Sequence, residues 1–265
     1  MPSVDSNSAS LHYQLHGDPA KPAVVLAHGR GGNAASWWQQ VPVFAKDWHV
    51  VTFDHRGFAR SRCDTKEAFD PRRFADDLAA ILDHAKIERA ALVCQSMGGR
   101  TGLGFSLKFP TRVRALVLCG TTGGLYDETI AKGLGDVRGV AAQVGSLSTL
   151  ALEPTFPQRQ PALATLYAQI QAFNTEFDYG GPPILTALAT RIDPALLKGW
   201  SIPTLVLGGS NDQIVAASLL PYLARMIPGA ELKILPGLGH STYFEDAATF
   251  NDLVGEFLKN HAARA

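Results

Sequence analysis

The sequence predicts an α/β fold, in which a mostly parallel central sheet of about eight strands carries helices on both faces. Short runs of continuous Val, Leu and Ala recur along the chain, and such runs indicate strands buried on both faces of a parallel sheet. Helix-like stretches separate the runs, which is the alternation typical of this fold class. The runs are "AVVLAH" (23–28), "HVVTFD" (49–54), "AALVCQ" (90–95), "RALVLCG" (114–120), "TLVLGG" (204–209) and "ELKILPG" (231–237).

The elements around these runs also have recognisable patterns. "SASLHYQLHG" (8–17) alternates in part between apolar and polar residues, which predicts an antiparallel pair at the edge of the sheet. A helix is predicted over 71–87, because apolar side chains recur there at helical spacing and form one face. That face consists of Phe74, Leu78, Ile81, Leu82 and Ala85.

One long segment interrupts the strand pattern. At 265 residues the chain is long enough for one large domain. From Gly123 to Lys198 the apolar runs stop, and the composition favours helices with breaks at proline-rich points. We therefore predict an α/β core formed by 1–122 and 199–265, with 123–198 inserted as a helical cap. The breaks are predicted at Pro154, Pro157, Pro161 and "GGPP" (180–183).

The charge balance limits the kinds of partner. Lys plus Arg (24) equals Asp plus Glu (24), so no excess charge is present to attract nucleic acid or an anionic membrane. The sequence also lacks a window of roughly 18 uncharged apolar residues that could span a bilayer. A small-molecule substrate, with no nucleic acid and no membrane, is the expected partner, and the oligomeric state is left open.

The cysteines and the first residues indicate a compartment. Cys63, Cys94 and Cys119 are odd in number and have no CxxC spacing, which argues against a disulfide framework and against a structural zinc site. The first residues show neither the basic cluster nor the apolar stretch of a signal peptide. These features predict a reducing, cytoplasmic location.

A serine follows one of the predicted strands. In "LVCQSMGGRTG" (92–102), Ser96 stands between an apolar run and a stretch rich in glycine. A serine between a strand and a helix lies on a sharp turn that lifts its hydroxyl clear of the sheet. The turn crowds the positions two before and two after the serine, and here these are the small residues Cys94 and Gly98. A helix N-cap is the alternative role for such a serine.

These residues resemble the α/β-hydrolase family. The nucleophile elbow of that family reads G-x-S-x-G, and it stands here as "CQSMG" with Cys94 in place of the first glycine. "LAHGRGG" (26–32) is similar to the family's HG-x motif. The resemblance implies that Ser96 is a nucleophile and that the backbone N–H groups of Arg30 and Met97 form an oxyanion hole. A tight strand-to-loop turn is the alternative role for the glycines of 26–32.

The same resemblance implies a base and an acid. His240, in "PGLGHSTYFED", lies where the family places its catalytic histidine, and Asp212, in "LVLGGSNDQIV", lies where it places the acid. The order Ser96, Asp212, His240 is the chain order of hydrolases with this fold. An aspartate at this position can also serve as a turn residue or a helix N-cap. His55, in "DHRGFARS", resembles a structural turn of the family in which Ala59 replaces a glycine.

The expected activity follows from these roles. We predict a serine hydrolase that cleaves a small, largely apolar carboxylic ester or lactone through an acyl-enzyme, without cofactor or metal. The sequence leaves three alternatives open. They are hydrolysis of a carbon–carbon bond next to a ketone, a hydrolase-like ligand sensor with little turnover, and a cofactor-free perhydrolase or peroxidase activity.

Aromatic residues near the oxyanion loop and in the predicted cap are candidates for binding the substrate. Packing in the protein core is the alternative role for each of them, because buried aromatic side chains usually serve packing. Arg30 is the one charged residue expected near the site, with a substrate carboxylate or water as its alternative partners. The candidate aromatic residues are Trp37, Trp38, Tyr126, Phe156 and Phe173.

Overall fold

In the part of the chain that the computed structural model describes, nine strands form one sheet. The structure describes residues 2–65, 68–135, 150–174 and 191–263. Each predicted apolar run forms a strand within two residues of its expected ends. The strands are β1 (Ser3–Ser6), β2 (Ala9–His16), β3 (Ala23–Ala27), β4 (His49–Phe53), β5 (Arg62–Cys63), β6 (Ala90–Gln95), β7 (Val113–Cys119), β8 (Thr204–Gly209) and β9 (Glu231–Leu235).

The strand order is β1-β2-β4-β3-β6-β7-β8-β9, and β5 pairs with β2 outside this path. The pairs from β4 through β3, β6, β7 and β8 to β9 are parallel. β1, β2, β4 and β5 form antiparallel pairs at one side. The predicted mostly parallel sheet and its antiparallel edge are therefore confirmed.

Helices cover both faces of the sheet, and each face has its own apolar core. α2 and α3 pack on one face, where Leu78 and Leu103 lie in the same apolar cluster as strand residues such as Val25. α1 and α8 pack on the other face, where Phe44 and Phe250 lie in the same apolar cluster as further strand residues. The helices are α1 (Val41–Phe44), α2 (Phe74–His84), α3 (Gly98–Lys108), α4 (Phe156–Arg159), α5 (Pro161–Ala172), α6 (Leu220–Met226), α7 (Thr242–Glu245) and α8 (Ala247–His261).

The helix predicted over 71–87 is shorter than expected. A 3-10 turn (Pro71–Arg73) comes first, because the side chain of Asp70 accepts a hydrogen bond from the Arg72 N–H and caps this turn. α2 then ends at His84, and Lys86 has a positive φ of 57° that no α-helix can continue through. The predicted apolar face is buried within α2, whereas Ala85 lies just beyond its end.

The segment 123–198 leaves the sheet after β7 and returns before β8. Its described parts contain helical backbone at 128–135, the helices α4 and α5, and a 3-10 turn (Pro194–Leu197). α5 begins at Pro161, as the predicted breaks indicate, whereas "GGPP" (180–183) lies outside the described residues. Leu125 and Ile192 form an isolated parallel bridge that joins the two ends of the segment.

Across the ranges that the structure describes, no helix has both the length and the apolar character needed to cross a membrane.

Candidate active site

Ser96 occupies a strained turn between β6 and α3. Its φ is +49°, a left-handed conformation that costs a non-glycine residue on the order of 1 kcal/mol. Hydrogen bonds hold this conformation, since the Ser96 N–H donates to the Cys119 carbonyl at 2.9 Å and Thr121 Oγ1 donates to the Ser96 carbonyl at 2.6 Å. Ser96 is only partly buried, so a sharp elbow presents its hydroxyl at the end of the sheet.

The small neighbours of Ser96 allow α3 to lie directly against the sheet. A methyl group added at Gly98 would overlap the carbonyl of Ala27 in β3. One added at Gly102 would overlap the sulfur of Cys94, so the thiol already fills the space beneath the helix. Burial raises the pKa of the Cys94 thiol above its ordinary value, which keeps it neutral and unreactive.

His240 and Asp212 are in direct contact. The loop after β9 carries His240, the loop after β8 carries Asp212, and Nδ1 of the histidine lies 2.8 Å from Oδ2 of the aspartate. Oδ1 of Asp212 accepts hydrogen bonds from the N–H groups of Ile214 (2.7 Å) and Val215 (2.9 Å). Both side chains are buried. The carboxylate therefore accepts the Nδ1 proton and leaves Nε2 of the imidazole able to accept another.

The serine, the histidine and the loop after β3 meet at the same edge of the sheet. Gln95 Nε2 donates to the His240 carbonyl at 3.4 Å. A methyl group at Gly120, which follows the hydrogen-bond partner of Ser96, would lie 3.2 Å from His240 Nδ1. A methyl group at Gly29 would lie 3.0 Å from Ser96 Cβ. Three loops that are far apart in sequence thus converge around Ser96.

A carboxylate that sequence reasoning missed supports the loop of His240. Glu245, at the end of α7, accepts hydrogen bonds from the N–H groups on either side of the histidine, Gly239 at 2.9 Å and Ser241 at 3.3 Å. It also accepts one from the N–H of Glu153 at 3.3 Å. Burial raises the pKa of the Glu245 carboxyl. No motif in the sequence marks this role, because each of these partners of the carboxylate is a backbone N–H.

His28 shapes the loop that contains the candidate oxyanion donor. Its Nε2 accepts the N–H of His55 at 2.9 Å, so the neutral ring carries its proton on Nδ1 and donates it to the Gly29 carbonyl at 2.7 Å. Burial lowers the pKa of His28 to about 4. The Gly29 carbonyl and the Arg30 N–H belong to one planar trans peptide, so this bond also orients the Arg30 N–H. The Arg30 side chain is exposed, whereas Met97 is buried.

His55 is buried and contacts neighbouring side chains of the core. Its Nε2 lies 2.8 Å from Thr101 Oγ1, and its ring meets the His28 ring edge to face, with the centroids 4.4 Å apart and the planes at 80°. Burial lowers the pKa of His55 well below its ordinary value. Ala59, which stands where the similar motif has glycine, adopts a positive φ of 44°. The turn thus keeps the left-handed backbone without the glycine.

The aromatic candidates for substrate binding fall into different environments. Trp37 and Phe156 are fully buried, at 0% and 1% exposure, and both pack in the apolar core, which favours the packing role for these two. Trp38 and Phe173 are exposed by 44% and 62%. Tyr126 is partly buried, and the guanidinium of Arg191 lies 3.3 Å from the centre of its ring.

The sheet order, the elbow and the His–Asp pair are typical of the α/β-hydrolase fold. The family model for the alpha/beta hydrolase fold matches residues 22–247, and the chain belongs to that family.

Several similar proteins match nearly the whole chain. The 2-hydroxymuconate semialdehyde hydrolase of Pseudomonas sp. (strain CF600) is 30% identical over 270 residues, covering 97% of this chain and 94% of the relative. A Caulobacter vibrioides protein, provisionally assigned as the carbamate hydrolase RutD, is 28% identical, covering 94% and 95%. The solved structure of Est816, described as an N-acyl homoserine lactone degrading enzyme, is 28% identical with a TM-score of 0.80, covering 97% and 100%.

Proposed function

We propose that the protein is a serine hydrolase that cleaves small, largely apolar carboxylic esters or lactones through an acyl-enzyme. The observation that carries this proposal is the strained Ser96 elbow beside a buried His240–Asp212 pair, whose Nδ1 to Oδ2 distance is 2.8 Å. A serine hydroxyl is a weak nucleophile until a base takes its proton. The buried contact between His240 and Asp212 supports the assignment of His240 as that base and of Asp212 as the acid that orients it.

The proposed reaction has two halves. Ser96 Oγ attacks the carbonyl carbon while His240 Nε2 takes its proton, and Asp212 stabilises the imidazolium. The N–H groups of Arg30 and Met97 bind the oxyanion of the tetrahedral intermediate. His240 then protonates the leaving alcohol, and water, activated by the same histidine, releases the acid and restores the hydroxyl of Ser96.

The substrate class is inferred from the segment 123–198, which we propose covers the site. Its helix α5 packs on the core through buried Ile170 and reaches the loop after β3. We propose that two exposed apolar side chains, Phe173 of this segment and Trp38 after the loop that follows β3, line the site. They suit an apolar acyl or alcohol group better than a charged one. A lactone-degrading enzyme among the similar structures agrees with a cyclic ester as one form of the substrate.

The test combines labelling and turnover. A fluorophosphonate at low concentration should label one residue in the wild type and none in Ser96→Ala, because only an activated serine reacts quickly. A panel of 4-nitrophenyl esters and γ- and δ-lactones of increasing chain length should be hydrolysed with the same dependence on Ser96. Labelling of Ser96→Ala at the wild-type rate, or ester turnover that survives this substitution, would contradict the proposal. Weak turnover on every ester would favour the sensor alternative.

Hydrolysis of a carbon–carbon bond is the second candidate. It is favoured by the 30% identical relative, whose named substrate, 2-hydroxymuconate semialdehyde, contains neither an ester nor an amide. Assay of a 2-hydroxy-6-ketodienoate beside the best ester separates the two activities. A kcat/KM at least tenfold higher for the dienoate would replace ester hydrolysis as the main activity.

A further inference from the structure

Two asparagines fasten the C-terminal end of α5 to the loop after β3. Asn33 Nδ2 donates to the Ile170 carbonyl of α5 at 2.7 Å. Asn174, just after α5, donates from Nδ2 to the Gly31 carbonyl at 2.6 Å. These two bonds cross between the sheet domain and the segment 123–198 in opposite directions, more than a hundred residues apart in the chain.

In each asparagine, the hydrogen bond that the side-chain oxygen accepts determines which way the NH₂ group points. Asn33 Oδ1 accepts from the Ala35 N–H at 3.0 Å, and Asn174 Oδ1 accepts from the Ala59 N–H at 3.0 Å. An amide oxygen cannot donate, so in both residues the NH₂ group must face the other segment. Asn174 thereby joins three pieces of chain, which are α5, the loop at Gly31 and the turn at Ala59.

The bond from Asn174 leads directly to the candidate oxyanion donor. The Gly31 carbonyl and the Gly32 N–H belong to one peptide unit, and this N–H donates to the Gly29 carbonyl at 3.0 Å. The Gly29 carbonyl and the Arg30 N–H belong to the next peptide unit in this series. Because each peptide is planar and trans, its carbonyl and its N–H point in opposite directions. Hydrogen bonds in such a series also polarise one another.

We propose that Asn174 is a positioning residue that orients the Arg30 N–H through the Gly31–Gly32 peptide. His28 holds the Gly29 carbonyl from the side of the sheet, and Asn174 holds the loop from the side of α5. Docking of α5 therefore completes the oxyanion loop. The catalytic part of this inference rests on the proposed function, whereas the structural part does not.

Asn174→Asp is the sharpest perturbation. The aspartate keeps an acceptor for the Ala59 N–H but places a carboxylate oxygen against the Gly31 carbonyl, where no donor remains. Asn174→Ala removes all three side-chain hydrogen bonds, with the Gly31 carbonyl, the Gln171 carbonyl and the Ala59 N–H, without adding a charge, and serves as the second variant. Asn260→Asp, at an exposed position near the end of α8, makes the same chemical change away from the site and is the matched control.

Hydrogen exchange tests the positioning whether or not the protein hydrolyses esters. In peptides covering 28–34, exchange should be faster in Asn174→Asp and in Asn174→Ala than in the wild type and the control. The Gly31 carbonyl loses its donor in both variants, so the Gly31–Gly32 peptide is held less firmly and the bond from the Gly32 N–H to the Gly29 carbonyl opens more often. Unchanged exchange in both variants would overturn the proposal.

Ester kinetics test the catalytic consequence. Loss of one oxyanion donor costs roughly 10²- to 10³-fold in kcat, so misorientation should cost about 10- to 100-fold, with KM changed less than threefold. Faster exchange with an unchanged kcat would overturn the link to the Arg30 N–H. If wild-type turnover does not depend on Ser96, the proposed function fails, and the exchange result still decides whether Asn174 orders the loop.

Discussion

Acidification should destabilise the fold through His28. Burial lowers the pKa of this imidazole from 6.5 to about 4, so between these values the unfolded chain binds a proton that the folded chain does not. The contribution of neutral His28 to the free energy of unfolding is therefore fully present above pH 6.5, and it is lost as the pH drops towards 4. Each pKa unit corresponds to about 1.4 kcal/mol, which gives a loss of about 3 kcal/mol from His28 alone.

Other groups add to this slope or oppose it. Burial also lowers the pKa of His55, whose ring packs on His28, so it acts in the same direction. Burial raises the pKa of Asp77 and of Glu245, and these carboxyls stabilise the fold as they take up protons at lower pH. A variant that removes only the His28 titration separates its contribution from theirs.

His28→Asn is that variant, because its side-chain amide nitrogen can replace Nδ1 as the donor to the Gly29 carbonyl. Urea unfolding measured from pH 7.5 to 4.5 should give a steeper loss of stability in the wild type. The two slopes should differ by up to one proton, or about 1.4 kcal/mol per pH unit, between pH 6 and 4.5. Parallel curves for the two proteins, or a His28 pKa above 6 by NMR, would refute this reasoning.

Three further substitutions test other parts of the site. Asp212→Asn should keep the bonds from the N–H groups of Ile214 and Val215 but place an amide donor against His240. The donor favours the wrong tautomer of the imidazole, so kcat should fall on the order of 10⁴-fold. A smaller loss would indicate that another residue is the acid. Cys94→Leu should abolish ester turnover and lower the melting temperature, because the Cys94 thiol already fills the space beneath α3. Cys94→Gly should be tolerated. An active leucine variant would show that this space is larger than described. Glu245→Gln should lower kcat about tenfold, because an amide cannot accept all three N–H bonds of the carboxylate. Glu256→Gln changes an exposed side chain in the same way and is the control. Equal kcat values in the two variants would contradict the role of Glu245.

Much of the fold was predictable because its signals are local. Continuous apolar runs identified the parallel strands, and the small residues around Ser96 identified the elbow, since both depend on neighbours within a few positions. The positions of Asp212 and His240 followed from a family resemblance, and the structure places their side chains in contact.

The supporting residues were not predictable because their partners are distant in sequence. Glu245 and Asn174 bind backbone groups of other loops, and neither the residue type nor its spacing records such a bond. Hydrophobicity also could not separate buried Phe156 from exposed Phe173, because that difference depends on how α5 packs. The end of α2 was misplaced for a local reason, the positive φ of Lys86, which the residue type does not favour.

The bridge between Leu125 and Ile192 joins the two ends of the segment 126–191, so the length of this segment can vary at little cost to the fold. The N–H of Tyr126 donates to the Ile192 carbonyl at 3.1 Å, and the N–H of Ile192 donates to the Gly124 carbonyl at 2.8 Å. The strands on either side, β7 and β8, are already paired in register, so the two ends of the insertion are held together by the sheet itself. Chain-entropy cost then grows only with the logarithm of length, about 0.6 kcal/mol for each doubling. A change in the length of 126–191 should therefore cost little chain entropy, provided that the bonds of Asn33 and Asn174 to the other part of the chain are kept.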